Sequence, residues 1–424
     1  MMKRLTRIAL VLWLALTAGS CAGPPSIARP PTSSPSGAAP TTSPQPSASE
    51  SGTGSAERER ARVAELTFQG TDFYDVPDPL TFGDRGALIR LQPLQDNEVA
   101  RVYRVLYHST SVDSSDVAVS GTIWVPAGTP PAGGFPIVAW GPGNNGSGDP
   151  CAYSAQHDVT RIDYALLMFE LMDEGYAVAY TDYEGHGTRY PYLFAVGESA
   201  THSLLDAARA VRDLLGTVAS NRVVVAGHSM GAYAAAWSLQ YGREYAGELD
   251  VRGAVALEGG GDVADDIADI MAGDSPGLLV QGVVAWAAAY PDLDPADVLT
   301  PRALEVSRGI EASCDAAGSF DSRQTDDVFA ANPLDVASWR KQIEASRVRQ
   351  APFPVLFVVA PGSVRHVEEI RTVTDRLCRV SKAIQFASYP GTDHDSVVDI
   401  AQRDYLDWIA DRFAGKPATG NCGA

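Results

Sequence analysis

From residue 118 onward the chain alternates short apolar runs with segments of helical period. The runs "AVSGTIWVPA", "FPIVAWGPG", "YAVAYTDYEG", "RVVVAGHS", "RGAVALEGG", "FPVLFVVAP" and "KAIQFASYPG" are rich in β-branched and aromatic residues and mostly unbroken by polar positions. Such runs predict strands buried on both faces, and their alternation with helices predicts a mostly parallel sheet covered on both sides. Residues 201–218 read as one covering helix, with Thr201 placed to cap it and Leu204, Leu205, Ala208, Val211 and Leu215 forming its apolar stripe. The alternation breaks once, between about 262 and 350, where an Asp- and Ala-rich helical stretch holds Trp286 and Trp339. That interval predicts a helical cap inserted over the C-terminal edge of the sheet, where ligands bind in such folds. The fold class expected is α/β: a doubly wound sheet built from residues 61–261 and 351–424, with 262–350 as the cap.

The N-terminus has a different pattern. Lys3, Arg4 and Arg7 precede the apolar run "IALVLWLALTA", too short for an ordinary membrane span, so residues 1–20 read as an export signal. The following "AGSC" resembles the lipobox of bacterial lipoproteins, in which the cysteine, here Cys21, becomes the lipidated N-terminus; Ala18 stands where leucine is usual. A plainly cleaved signal is the other reading. Residues 22–57 contain Ile27 as their one large apolar side chain and cannot bury a core. Residues 21–60 therefore read as a lipid-anchor cysteine followed by a Ser-, Pro-, Thr- and Gly-rich tether, about 30 Å in root-mean-square span if flexible.

Composition narrows the function. The 424 residues are 45% hydrophobic, enough for one large α/β domain with an inserted subdomain or for two domains, and carry a net charge of −19. Without a cluster of Lys and Arg, that charge argues against nucleic acid as a partner. Beyond Cys21 there are Cys151, Cys314, Cys378 and Cys422, an even number that suggests two disulfides in an oxidising compartment. The chain has no Cys-x-x-Cys and no His-Glu-x-x-His, which argues against a metal centre.

The chemistry centres on "RVVVAGHSMGAYAAAW", where Gly227-His228-Ser229-Met230-Gly231 stands between a buried-strand run and a helix-forming stretch. That context is what a nucleophile elbow requires: the glycines permit the sharp turn and Ser229 is held at its tip. A serine that merely lines a glycine turn is the plainer reading. A base must follow Ser229 in chain order, which leaves His366 and His394. His394, in "YPGTDHDSVV" after the last strand run, hangs over the same sheet edge as Ser229 and is the candidate preferred; His228 is read as a packing residue.

These segments resemble the secretory lipases of fungi and actinobacteria, an α/β-hydrolase family with an inserted lid. The resemblance rests on "DYEGHGT" with "PYL" and "LLDAARAVRDL", on "GHSMG", on "YPDLDPADVLTP", and on "YPGTDH" with "DWIADRFAGKPATGNC". It implies Ser229 as nucleophile, His394 as base, disulfides Cys151 to Cys314 and Cys378 to Cys422, and hydrolysis of carboxylic esters, often of lipids.

Two departures fall at chemically important places. The family's His-Gly-Thr after the third strand is replaced by "WGPGNNG", with Pro142 in place of the histidine. The backbone N–H groups of Asn144 and Met230 remain as candidate oxyanion donors, because that role needs donors and not particular side chains. "GPGNNG" also spells Gly-x-Gly-x-x-Gly, but Pro142 removes a donor, "SGDPC" opens no helix and Asp182 lies too far on for a ribose carboxylate. No dinucleotide or other cofactor is expected. The family's acid, in a turn after "PVLFVV", is replaced by "APGS", with Ser363 at its place. Serine orients an imidazole but does not stabilise an imidazolium. Candidate acids are Glu258, at the end of "RGAVALEGG" and ranked first, then Asp262, Glu368 and Glu369; Asp393 and Asp395 beside His394 are read as splaying away from its ring.

The sequence thus points to a lipid-anchored or secreted serine esterase or lipase acting on small-molecule or lipid esters through an acyl-enzyme. Two other readings stay open: a weak or inactive hydrolase-fold lipoprotein that binds an apolar ligand, and a serine peptidase of the same fold.

Overall fold

The computed structural model describes residues 48–423 except 274, 313, 316, 321, 322 and 363. The expected signal, Cys21 and Ser363 lie outside the described residues, as does the side chain of His366.

Nine strands form one sheet: β1 (Leu88–Asp96), β2 (Ala100–Thr110), β3 (Asp116–Pro126), β4 (Phe135–Gly141), β5 (Ala177–Thr181), β6 (Ala219–His228), β7 (Asp250–Leu257), β8 (Val355–Val359) and β9 (Ile384–Ser388). Their order is β1-β2-β3-β5-β4-β6-β7-β8-β9. The first three strands pair antiparallel, β3 meets β5 antiparallel, and every pairing from β5 to β9 is parallel. Each apolar run read as a strand forms one. β1 and β2 lie upstream of the stretch where the strand pattern begins, and "LIRLQPLQD" interleaves Arg and Gln among its apolar positions because that edge is only half covered.

In β6 the sequence "VVV" shows why the parallel region is uniformly apolar. Val223 and Val225 point into the layer with helices Gly197–Leu215 and Met230–Tyr245, whereas Val224 and Ala226 point into the layer with helices Ala165–Asp173 and Gln402–Phe413. Both faces exclude water, so neither parity tolerates a polar side chain. The helix Gly197–Leu215 begins earlier than its apolar stripe suggests. Thr201 is fully buried inside it and caps nothing; the N-cap position is Val196.

A helix Ala48–Leu66 reaches back into the segment read as tether. Its Glu59 is buried, where it accepts from Arg101 Nε at 2.7 Å and Tyr103 Oη at 3.1 Å, and Arg62 pairs with Asp213 at 2.7 Å. These polar anchors fix the helix to β2 and to the covering helix, so folded structure begins before residue 61 even though the composition there remains small and polar.

Between β7 and β8, over the interval read as a cap, stand helices Val263–Met271, Pro276–Ala289, Pro301–Ser307, Thr325–Val328 and Ala337–Ala345. Trp286 and Trp339 are both buried in its own apolar cluster, which takes in Leu193 and Val196 of the hydrolase core and so seats the cap. Asp262 at the entry to the cap pairs with Arg376 at 2.6 Å and with Arg347, near its exit, at 3.5 Å. Among the described residues, no helix is long and apolar enough to cross a membrane.

Candidate functional site

Ser229 follows β6 with φ 56° and ψ −117° and stands at the N-cap of the helix Met230–Tyr245. That is the strained turn expected of a nucleophile elbow. The glycines on either side are sterically required. A Cβ on Gly231 would lie 1.8 Å from the Gly141 oxygen, and one on Gly227 would lie 2.5 Å from the same atom. Strand β4 therefore packs directly on the elbow, and Ser229, half-buried, faces the cavity beneath the cap.

Next along the sheet, His228 of β6 is paired with Leu257 of β7, and the Ser229 N–H donates to the Leu257 oxygen at 2.9 Å. The residue after Leu257 is Glu258, which also has positive φ, 53°, and is completely buried. Its Oε2 accepts the Ala360 N–H at 2.6 Å, just past β8. Glu258 thus sits where three parallel strands end, and it lines the same cavity as Ser229 and His394.

The other acid candidates are placed elsewhere. Asp262 gives both carboxylate oxygens to Arg376 and serves the cap entry. Glu368 is exposed, and Glu369 Oε2 lies 3.5 Å from where a Cβ on Gly261 would stand; neither lines the cavity. Asp393 turns away, accepting from Ser396 N at 2.8 Å and Ser396 Oγ at 2.5 Å. Asp395 does not splay fully clear: a carboxylate oxygen stays within 4.8 Å of ring nitrogens of His228 and His394.

His394 lies in the turn after β9. Its carbonyl oxygen accepts a hydrogen bond from His228 Nε2 at 2.7 Å, and the two rings are 4.7 Å apart. Because a carbonyl only accepts, His228 carries its proton on Nε2, and its Nδ1 accepts the Tyr164 hydroxyl at 2.8 Å. Burial, reinforced by the neighbouring His394, pushes the His228 imidazole down to about 4, so it is neutral near pH 7. With both nitrogens engaged, His228 braces the loop that carries His394. A metal bridging His228, His394 and Asp395 would have to break one of those bonds.

The loop after β4 supplies the other wall. Pro142 O accepts from Tyr183 Oη at 2.9 Å and Gly143 O from Tyr153 Oη at 3.3 Å. A Cβ on Gly143 would come within 3.6 Å of Ser229 Cβ, so the loop backbone borders the elbow. His186, from the "DYEGHGT" segment, places its ring nitrogens 2.8 Å from the oxygens of Asp182 and Gly146. The Asn144 side chain reaches the cap: its Nδ2 donates to Gln281 Oε1 at 2.8 Å. Met230 opens its helix, where backbone N–H groups have no intrahelical acceptor. Disulfides join Cys151 to Cys314 and Cys378 to Cys422, the pairing the resemblance implied.

The cavity over Ser229 has a volume of about 580 Å³ and is mostly apolar, with Phe194, Ile267, Leu279, Val283, Trp286 and Ile343 on its walls. Sequence reasoning missed Tyr164 and Gln281. Tyr164 carries no local signal, but Gln281 does: it is the sole polar side chain in "PGLLVQGVVAWAAA", and a lone polar group in a buried helix implies a specific partner.

Comparison with known proteins agrees with this architecture. Candida antarctica lipase A in its closed state superimposes with a TM-score of 0.71 at 20% identity, covering 84% of this chain and 88% of that one. The rice cell wall degrading esterase LipA of Xanthomonas oryzae gives 0.63 at 16% identity, covering 78% and 98%. In sequence, Lipase A of Moesziomyces aphidis is 26% identical over 241 residues, 52% of this chain and 50% of its own length, so the match spans half of that relative. A Mycobacterium tuberculosis protein named a probable inactive lipase is 24% identical over 386 residues, 85% of this chain and 79% of its own. The sequence model of the secretory lipases matches residues 154–421, a span that takes in the elbow, the cap and the base loop. This chain, with its α/β-hydrolase fold, belongs to the secretory lipase family.

Proposed function

We propose that the protein is a serine ester hydrolase that works outside the cytoplasm on esters with an apolar acyl chain. The observation that carries this reading is the convergence of Ser229, His394 and Glu258 on one apolar cavity under the cap. His394 takes the Ser229 hydroxyl proton as Oγ bonds to the ester carbonyl carbon. The tetrahedral oxyanion is met by the backbone N–H groups of Met230 and Asn144. Collapse breaks the bond to the alcohol oxygen, which receives the proton from His394, and leaves Ser229 acylated. Water, deprotonated by His394, then releases the acid and restores Ser229. Glu258 serves as the anionic partner of the imidazolium, replacing the acid that the family carries where this chain has Ser363. The mechanism itself calls for no metal or cofactor.

The placement outside the cytoplasm is supported by the two disulfides and by the signal-like N-terminus. Cys21 as a lipid anchor would hold the enzyme at a membrane surface through the tether. Labelling with an alkyl fluorophosphonate and mapping the adduct tests the enzyme reading: modification of Ser229 is expected, and an unlabelled protein overturns it. One observation favours a second reading. A relative covering most of the chain is named a probable inactive lipase, and the family's acid position is vacated here. A chain that binds fatty acid in the cavity without taking the label would be a binder on a hydrolase scaffold.

A further inference from the structure

The loop between β4 and the short turn at Asp149–Cys151 has no sheet or helix ladder to hold it, yet on the reading above its Asn144, which lines the cavity with Ser229, presents its N–H to the oxyanion. Most of its braces come from the core side: Tyr183 on Pro142, Tyr153 on Gly143, His186 on Gly146, and the Asn145 side chain on Cys151 O at 3.0 Å. Asn144 is different because it is braced from the cap. Its carboxamide and that of Gln281 form a reciprocal pair, Asn144 Nδ2 to Gln281 Oε1 at 2.8 Å and Gln281 Nε2 to Asn144 Oδ1 at 3.2 Å. The second Gln281 amide proton goes to Ser147 Oγ at 2.6 Å, and the Gly146 N–H donates to Asn144 Oδ1 at 3.3 Å. Gln281 is 1% exposed, in the middle of the cap helix Pro276–Ala289. One cap side chain therefore holds both ends of the oxyanion segment, residues 144 and 147, against a helix that also walls the acyl cavity.

We propose that Gln281 is a positioning residue for ester hydrolysis: it fixes the Asn144 backbone for oxyanion binding, so that seating the cap and assembling the oxyanion site are a single event. The inference rests on the serine-hydrolase reading above. It explains how the chain replaces the family's His-Gly-Thr segment, since a proline at 142 and a glycine at 143 bring no side-chain donor of their own. It also gives the buried Gln281 a reason to stand in an otherwise apolar helix.

The test is the rate at which an alkyl fluorophosphonate labels Ser229, because that step uses the serine, the base and the oxyanion site and stops before deacylation. Ser229 Oγ bonds to phosphorus, fluoride leaves, the proton passes to His394, and the phosphoryl oxygen occupies the hole. Gln281→Leu is expected to slow labelling, and kcat for a short ester, by about 10²-fold with KM little changed, the size of loss a misplaced group produces. Asn144→Ala, which keeps the backbone N–H but removes the carboxamide, should give a similar loss, and the double variant should be no slower than the slower single. Asn144→Ala also keeps the question answerable if Gln281→Leu does not fold. A purely structural role would lower the melting temperature and leave the rate of the folded fraction unchanged. Labelling of Gln281→Leu within about two-fold of the parent, or single losses that multiply in the double variant, would overturn the positioning role. A parent that is not labelled at Ser229 would instead overturn the reading on which it rests.

Discussion

Ser229 and Glu258 leave neighbouring parallel strands one residue beyond a matched pair, and both do so with positive φ, 56° and 53°. Two non-glycine residues held in that region cost on the order of 1–3 kcal/mol each, a strain that persists where the surrounding structure over-determines it. Side by side, they place a serine hydroxyl and a carboxylate over the same sheet edge. Glu258→Gln keeps an acceptor for the Ala360 N–H but removes the charge, so folding should be retained while kcat falls by up to about 10⁴-fold, the loss known for amide replacement in the Ser-His-Asp template. Turnover of p-nitrophenyl esters alongside melting temperature checks this; unchanged turnover would rule out Glu258 and point to Asp395, whose carboxylate lies near His394.

The elbow glycines make a prediction about folding. Gly231→Ala would drive a methyl into the Gly141 backbone, since the ideal Cβ position is 1.8 Å from that oxygen. Backbone cannot rotate aside as a side chain can, so β4 must separate from β6. A loss above about 3 kcal/mol is expected, compared with about 1 kcal/mol for an ordinary substitution. Urea unfolding of the variant measures it, and a midpoint near that of the parent would show that the strands have more play than their packing indicates.

Acid should destabilise the fold through two histidines. Burial pushes His202 and His228 each down to about 4 from an ordinary value near 6.5. Above about pH 6.5 both are neutral in the folded and unfolded chain and cost nothing. As pH falls from there to about 4 the unfolded state takes up protons first, so stability drops by roughly 3 kcal/mol for each histidine. His202→Gln should flatten the melting temperature against pH across that window by about one histidine's worth. An unchanged slope would refute the assignment of His202.

Removing the link between Cys378 and Cys422, separated by 44 residues, should cost about 4 kcal/mol by loop entropy. The bond ties the C-terminal tail to the helix before β9, and with it the frame of the base loop. Denaturant titration of Cys378→Ala with Cys422→Ala against the parent reads the difference; a change below about 1 kcal/mol would mean that the tail packs without it.

At the other end of the chain, Cys21→Ala should move the protein from the membrane fraction to the medium. Retention in the membrane would rule out acylation of Cys21 as the anchor.

Much of this architecture is legible in the chain because it follows from local periodicity. "RVVVA" can only be a strand wetted on neither face, and "GHSMG" between such a strand and an alanine-rich helix specifies the elbow. Trp286 and Trp339 announce the cap's separate core. Other features depend on contacts far apart in sequence. Gln281 meets Asn144 across 137 residues, and Tyr164 meets His228 across 64. Thr201 reads as a cap residue because Thr favours that position, but a buried helix extended upstream overrides the preference. Glu258 could be shortlisted only by its place at a strand end; its positive φ of 53° has no signal in the sequence.

The clasp of Asp262 with Arg347 and Arg376 means that the cap is entered and left through essentially one point of the sheet. An insertion with coincident ends is an exchangeable cassette. On the proposed hydrolase reading, replacing everything between the clasp residues should change acyl preference while β6, β7 and the His394 loop stay as they are. If Gln281 positions Asn144 as proposed, the graft must also deliver a carboxamide where Gln281 now stands.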